Sequence, residues 1–328
     1  MNGYKKARRE LHGVLALLAV CKLLLVLTSR FLGPLLYTVL SAFYGESAVK
    51  IYSEFGSYGT LAGLLLEVCV FVLCLLVPVA LYFAFSGKKY TRTVDSEKPE
   101  ILSIAYGVGA TVVIGNAAAI VGNVLLSALF SLAGMGDKYY AMLEDSTTYP
   151  SNFWLVPLFA FVLAVMPAFL EEITVRGIGL SATKKFGTLF TLFFSGFFFA
   201  FLHSSWTQIP FAFVLGVVLA YFTLRFKTIW IAVVSHFVFN FNSVIQSLIL
   251  ENGGVYADVY SLVWSFLYFT LMLGFMVAGL IVYGIKKPDL PKSEFNAREK
   301  MKALFSSPFL YVFILLTAYL LIYLLIIY

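Results

Sequence analysis

The fold is decided by a long apolar segment in the middle of the chain, residues 153–184, which reads FWLVPLFAFVLAVMPAFLEEITVRGIGLSATK. A helix needs about 20 apolar residues to cross the hydrocarbon core of a bilayer, so this segment is long enough to span it. It nevertheless contains two adjacent carboxylates, Glu171 and Glu172, followed by Arg176. An ionisable residue at the centre of a membrane helix costs roughly 2.5–3.5 kcal/mol on insertion scales. These charged residues are therefore the first candidates for a functional site.

The composition extends this interpretation to the whole chain. Of its 328 residues, 61% are hydrophobic and only 12% are charged, and the mean hydropathy is +0.92, whereas a soluble protein has about 25% charged residues. Nine apolar segments follow one another, at about 11–29, 60–86, 101–133, 153–184, 187–204, 210–225, 229–250, 259–284 and 308–328. We therefore predict an all-α fold: a polytopic transmembrane helix bundle of about nine spans, or eight, that forms one integral membrane domain over residues 1–328.

The charged residues alternate between the loops. Most of the 23 basic residues lie at the N-terminus, in loop 87–100, in the turns after residues 184 and 225, and in loop 285–307, whereas the intervening loops are mainly acidic. The positive-inside rule then places the N-terminus in the cytoplasm and the C-terminus outside. Because topology accounts for the net charge of +6, we expect the lipid bilayer as a partner and no nucleic acid.

Two further intramembrane charges have opposite signs and similar predicted depths. Lys22 lies roughly 17 Å from the inner face and Glu67 roughly 20 Å from it, at a rise of 1.5 Å per residue. A structural ion pair between them is favoured over a functional role.

In the third segment, Gly115-Asn116 and Gly122-Asn123 are seven residues apart. This spacing places small residues on one helix face and predicts close helix packing.

The central segment suggests a division of labour between its two glutamates. Pro167 cannot donate a hydrogen bond to the carbonyl of Leu163, so it disturbs the preceding helical turn. Glu172 and Arg176 stand at i and i+4 in the favourable order for a helix ion pair. Glu171 points about 100° away and is left free to act as a base. The alternative is a structural network of all three charged residues.

Two histidines lie in downstream apolar segments. His203 ends the fifth segment, and His236 and Asn240 share one face of the seventh, where their donors suit a developing oxyanion. Asn242 lies off that face. Counted along straight helices, Glu171 and His203 lie at roughly 20 and 24 Å from the inner face, but His236 lies at only roughly 12 Å. A tilted helix or a recessed turn would have to close this gap.

Three short motifs together resemble those of a known family. Glu171-Glu172-x-x-x-Arg176, Phe199-x-x-x-His203 and His236-x-x-x-Asn240 occur in this order. They are similar to the motifs of the CAAX-protease and bacteriocin-processing enzymes, also called the Abi family of intramembrane endopeptidases. The resemblance covers about residues 150–250, which we take as the catalytic core.

The resemblance implies that Glu171 and His203 activate a water, that His236 and Asn240 stabilise the oxyanion of the cleaved peptide bond, and that Glu172 and Arg176 support them. It also implies a membrane peptide or a prenylated protein as the substrate. The protein itself is then expected to be an integral protein of a bacterial plasma membrane. A divalent metal such as Zn²⁺, held by Glu171, His203 and His236, is the alternative to a directly activated water. The H-E-x-x-H zinc motif is absent, which favours the direct mechanism.

Two other classes of function remain open at this point. A non-catalytic membrane scaffold or bacteriocin-immunity protein could use the same helices to bind a partner. A proton-coupled transporter could use carboxylates and histidines as a relay, although the sequence shows no internal repeat. A scaffold has no need for four polar residues at membrane depth, so the sequence favours the enzyme.

Overall fold

The computed structural model describes residues 2–87, 97–144, 149–150, 152–203, 205–284 and 286–328, and in these ranges the chain folds as helices without a β-sheet. Eight of the described helices are long and apolar enough to cross a membrane, and a ninth apolar helix is shorter. In chain order they are α1 (Gly3–Phe55), α2 (Leu61–Ser86), α3 (Ile101–Leu132), α4 (Phe153–Phe186), α5 (Thr188–Leu202), α6 (Ile209–Phe226), α7 (Trp230–Asn252), α8 (Gly254–Tyr283) and α9 (Pro308–Ile327). The protein is an all-α bundle of transmembrane helices.

The described helices explain why both eight and nine spans were compatible with the sequence. Helix α5 has 15 residues, which is roughly 22 Å at 1.5 Å per residue, so by itself it is shorter than the hydrocarbon core of about 30 Å. The other predicted segments coincide with helices to within a few residues, except for the first.

The first helix is much longer than predicted. The segment expected at about 11–29 continues through a π-helical turn at Thr28–Leu32 into Gly33–Tyr44 and, after a 3₁₀ turn, into Ala48–Phe55. The hydroxyl of Thr28 donates to the carbonyl of Leu24 at 2.9 Å, inside its own helix. Side-chain bonds of this kind let a helix accommodate polar residues that otherwise favour turns.

The loops that carry the basic residues gather at one end of the bundle. Four contacts join them: Tyr4 Oη donates to Glu299 O, Glu97 N–H to Lys227 O, Thr188 N–H to Pro291 O, and Arg225 Nη2 to Tyr283 O. At the other end, Lys138 Nζ donates to the carbonyl of Leu325 at 2.7 Å.

Part of loop 87–100 lies outside the described residues, namely residues 88–96 with Lys88, Lys89 and Arg92. The cytoplasmic N-terminus and the external C-terminus stay predictions.

Close helix packing around α3 is confirmed. A Cβ added to Gly122 would lie 2.4 Å from Pro210 Cβ, and one added to Gly115 would lie 2.8 Å from the ring of Phe239. Helix α3 thereby contacts α6 and α7, and it also packs along α8. Glycine permits this approach because it has no side chain at the contact.

The predicted ion pair between Lys22 and Glu67 is wrong. Lys22 is buried, and its Nζ donates to the carbonyl of Phe201 at 2.6 Å. Glu67 instead lines a cavity together with Tyr58. Similar depth along two helices did not bring the side chains together, because depth does not specify which way around its helix a residue points.

Candidate active site

Helix α4 is irregular on both sides of its two glutamates. A π-helical turn at Phe161–Val165 precedes the regular stretch Met166–Glu172, and a second one follows at Ile173–Gly179. Pro167 explains the first, since it has no N–H to continue the regular ladder. π-Helical turns are rare and recur at functional sites. Glu171 and Glu172 therefore project from a short regular turn between two widened ones.

Glu172 joins two helices through one carboxylate oxygen. Its Oε1 accepts from Arg176 Nη1 at 2.8 Å, the predicted i, i+4 ion pair, and also from His236 Nδ1 at 2.9 Å. All three side chains are buried. A charge-assisted hydrogen bond in a buried setting is stronger than one at the surface, so Glu172 fixes the ring of His236 on α7 relative to α4.

Arg176 is held by an aromatic face as well as by charge. Its guanidinium carbon lies 4.0 Å from the ring centroid of Phe199 on α5, within the range of a cation–π interaction. Among the described residues, Nε and Nη2 of Arg176 and Oε2 of Glu172 have no hydrogen-bond partner. The ion pair and the ring thus hold this buried arginine in place.

Glu171 and His203 face each other across a short gap. Their Oε2 and Nε2 atoms are 3.8 Å apart, too far for a direct hydrogen bond. His203 Nδ1 lies 2.8 Å from the carbonyl of Phe199. A carbonyl only accepts, so Nδ1 carries the proton, and a neutral His203 presents the lone pair of Nε2 towards Glu171.

The position of His203 depends on how α5 packs and ends. A Cβ on Gly216 of α6 would lie 2.8 Å from the Cα of Gly196 on α5, and Ser195 Oγ donates to Gly216 O at 3.1 Å. Helix α5 ends at Leu202, directly before His203. Its last carbonyls lack partners within the helix, and Lys22 donates to one of them. Helix α6 therefore fixes the middle of α5, and Lys22 of α1 fixes the end that precedes His203.

A cavity of about 410 Å³ brings the four predicted catalytic residues together. Glu171, His203, His236 and Asn240 all line it. Asn242 has a different role, because its Oδ1 accepts from the indole N–H of Trp264 at 2.8 Å. The roles of the four lining residues stay predictions, but their convergence on one cavity is a property of the fold.

The predicted difference in depth does not separate His236 from the two glutamates. His236 Nδ1 lies 2.9 Å from Glu172 Oε1, and His236 lines the same cavity as Glu171. In the turn directly before α7, Thr228 and Ile229 are buried, whereas Lys227 and Trp230 on either side of them are exposed. The packing of α7 against α4 therefore closes the gap that is counted along straight helices.

Sequence reasoning missed part of the lining. Tyr58 and Gln208 line the same cavity as His203 and also an adjoining one of about 350 Å³ that contains Glu67. The sequence indicates Glu67 as an intramembrane charge and favours an ion pair for it. Its cost at membrane depth is the signal that marks it as a functional candidate.

The three predicted zinc ligands do not form one metal-binding group. Both histidines use Nδ1 in a hydrogen bond, which leaves Nε2 available, as a metal ligand requires. However, in the described part of the chain no three His, Cys, Asp or Glu side chains gather into a group that could hold a metal ion. The arrangement of Glu171, His203 and His236 therefore does not fit a three-ligand site.

Comparison with known proteins gave one match. Residues 152–242 match the family model described as "Type II CAAX prenyl endopeptidase Rce1-like". Neither the curated proteins nor the solved structures contain a match to the chain. The matched residues run from the start of α4 into α7 and include Glu171, His203, His236 and Asn240. The match agrees with the family resemblance of the motifs and supports an intramembrane endopeptidase in general terms.

Proposed function

We propose that this protein is an intramembrane endopeptidase that hydrolyses a peptide bond of a membrane-associated or lipid-modified peptide or protein. One observation carries the proposal. The Glu171–His203 pair, with 3.8 Å between Oε2 and Nε2, faces a cavity that His236 and Asn240 also line. An acid–base pair and two groups suited to an oxyanion are the parts that peptide hydrolysis needs.

The spacing of the pair suits a nucleophilic water. A water oxygen about 2.8 Å from both atoms fits a separation of 3.8 Å. Ionised Glu171 and neutral His203 are both acceptors, so such a water donates one O–H to each of them. Its lone pairs are then free to attack the carbonyl carbon of the substrate. As the O–C bond forms, Glu171 or His203 takes a proton, which is returned to the departing amine when the C–N bond breaks.

The opposite side of the cavity would hold the oxyanion. His236 donates its Nδ1 proton to Glu172, so only a protonated ring has a second proton, on Nε2, to offer the oxyanion. Glu172 contacts the ring at Nδ1, which leaves Nε2 for the oxyanion. The side-chain amide of Asn240 supplies the second donor from one turn further along α7.

The substrate class follows from where the site lies and from the family match. The cavity is also lined by apolar residues such as Phe211, Leu215 and Phe239, and it is enclosed by helices of membrane-spanning length. A substrate that is itself in the bilayer suits such a site. The matched family model is described as a CAAX prenyl endopeptidase, which makes a prenylated peptide the first substrate to test.

Cleavage by purified protein tests the proposal. The protein would be reconstituted in liposomes and incubated with a farnesylated CAAX peptide and with a library of unmodified membrane peptides, and products would be identified by mass spectrometry. We expect cleavage by the wild type and a loss of at least about 10²-fold in Glu171→Gln and in His203→Ala, the lower range for acid–base groups. Glu251→Gln, an exposed carboxylate at the end of α7, is the matched control and should retain activity.

The non-catalytic alternative gives a different result. A scaffold or immunity protein would bind a membrane peptide with equal affinity in the wild type and in Glu171→Gln, and would cleave none of the peptides. Cleavage that persists in both Glu171→Gln and His203→Ala would also overturn the assignment, because the activity would then come from another site or a contaminant.

A further inference from the structure

The active-site cavity continues into a second cavity whose far wall is α2. Glu171 and His203 line both cavities. The residues of α2 that line it are spaced at i, i+3, i+4, i+7 and i+8, which places them on a single helix face. They are Glu67, Val70, Phe71, Cys74 and Leu75. A group held against this wall therefore lies beside the pair that would activate the water.

Glu67 has no basic partner among the described residues. It lines the second cavity together with Tyr58, and Lys22, the cation predicted to pair with it, donates to the carbonyl of Phe201 instead. Carboxylates within transmembrane segments are almost always paired or face a cavity, and they mark substrate or ion pathways. Glu67 is a carboxylate that faces a cavity, because it lines the cavity that the proposed catalytic pair also lines.

We propose that Glu67 binds a basic side chain, lysine or arginine, of the substrate next to the cleaved bond. The proposal rests on the proposed peptidase function and adds a specificity-determining residue to it. Helix α2 lies outside residues 152–242, which match the family model. The preference for a basic residue would therefore be a property of this chain and not of the matched core.

The shape and chemistry of the second cavity suit a long cationic side chain. Val70, Phe71 and Leu75 offer an apolar surface to an aliphatic stem, while Glu67 offers a carboxylate to the charged head. A neutral side chain of the same length would fill the cavity and desolvate Glu67 without pairing it. Leaving a charge unpaired in this way discriminates against the neutral substrate.

A matched peptide series tests this specificity. A single lysine is moved through the positions on either side of the cleaved bond, and each peptide is compared with one that carries methionine there. We expect the wild type to favour lysine at one position by at least about tenfold in kcat/KM, a modest effect for a charged partner. Glu67→Gln should remove the preference, and Glu67→Lys should shift it to a peptide with glutamate at that position.

Two controls separate a specificity role from a structural one. Cys69→Ser changes an exposed residue of the same helix and should keep the preference for lysine. If Glu67→Gln retains the preference, or if it lowers kcat/KM equally for the lysine and methionine peptides, the proposal is wrong. Should Glu67→Lys fail to fold, the result for Glu67→Gln decides.

Binding measurements distinguish failure of this proposal from failure of the peptidase function. In Glu171→Gln, which also removes the other carboxylate of the cavity, fluorescent lysine and methionine peptides are titrated into the reconstituted protein. Tighter binding of the lysine peptide, lost on adding Glu67→Gln, supports the subsite even if the wild type cleaves nothing. Equal binding of both peptides overturns the subsite even if the wild type is an active peptidase.

Discussion

His236 Nδ1 lies 2.9 Å from Glu172 Oε1, the same oxygen that accepts from Arg176. Glu172 therefore does more than the ion pair predicted for it. It links α4 to α7 and orients the imidazole ring through Nδ1. The two adjacent glutamates thus differ in environment: Glu172 is bound and fully buried, whereas Glu171 faces the cavity.

The first prediction concerns the oxyanion. If His236 and Asn240 act only on the transition state, His236→Gln and Asn240→Ala should each lower kcat by about 10²–10³-fold and leave KM nearly unchanged. Steady-state kinetics on the best cleaved peptide would measure both constants. Asn252→Ala, an exposed position at the end of α7, is the matched control. A rise in KM without a fall in kcat would assign the two residues to substrate binding.

The second prediction separates the two glutamates by stability. Arg176→Ala leaves Glu172 as a buried charge without its arginine, at a cost of about 3–5 kcal/mol, so folded yield and melting temperature should fall. Glu171→Gln should melt near the wild type, because Oε2 of Glu171 has no hydrogen-bond partner among the described residues. Thermal melts in detergent, with exposed Arg298→Ala as control, measure the difference. Equal losses in both variants would place Glu171 in the structural network.

The third prediction concerns Lys22. Its bond to the carbonyl of Phe201 supports the end of α5 next to His203, so Lys22→Met should lower both the melting temperature and the peptidase rate. Exposed Lys6→Met should change neither. Because Glu67 is not its partner, Lys22→Met combined with Glu67→Gln should be destabilised by the sum of the single effects, within about 0.5 kcal/mol. If the double variant were more stable than this sum, the prediction would be wrong and Lys22 and Glu67 would interact.

The sequence predicted those features that depend on one helix at a time. Except for α1, the helix bounds followed from the lengths of the apolar segments, and the Glu172–Arg176 pair followed from a spacing of four. The His236–Glu172 bond could not be predicted, because it depends on how α4 and α7 pack against each other. The partner of Lys22 was missed for a related reason: depth was estimated, but the orientation of the side chain around its helix was not.

The last prediction concerns the metal. A water held directly by Glu171 and His203 predicts that purified wild-type protein contains no stoichiometric zinc and that a chelator leaves the cleavage rate unchanged. The zinc alternative makes His236 a ligand, so His236→Ala would lose the metal together with activity. Elemental analysis of the wild type and His236→Ala, each purified with and without added zinc, distinguishes the two mechanisms. Stoichiometric zinc in the wild type and none in His236→Ala would contradict the direct mechanism, and Glu171, His203 and His236 would then have to move together to bind it.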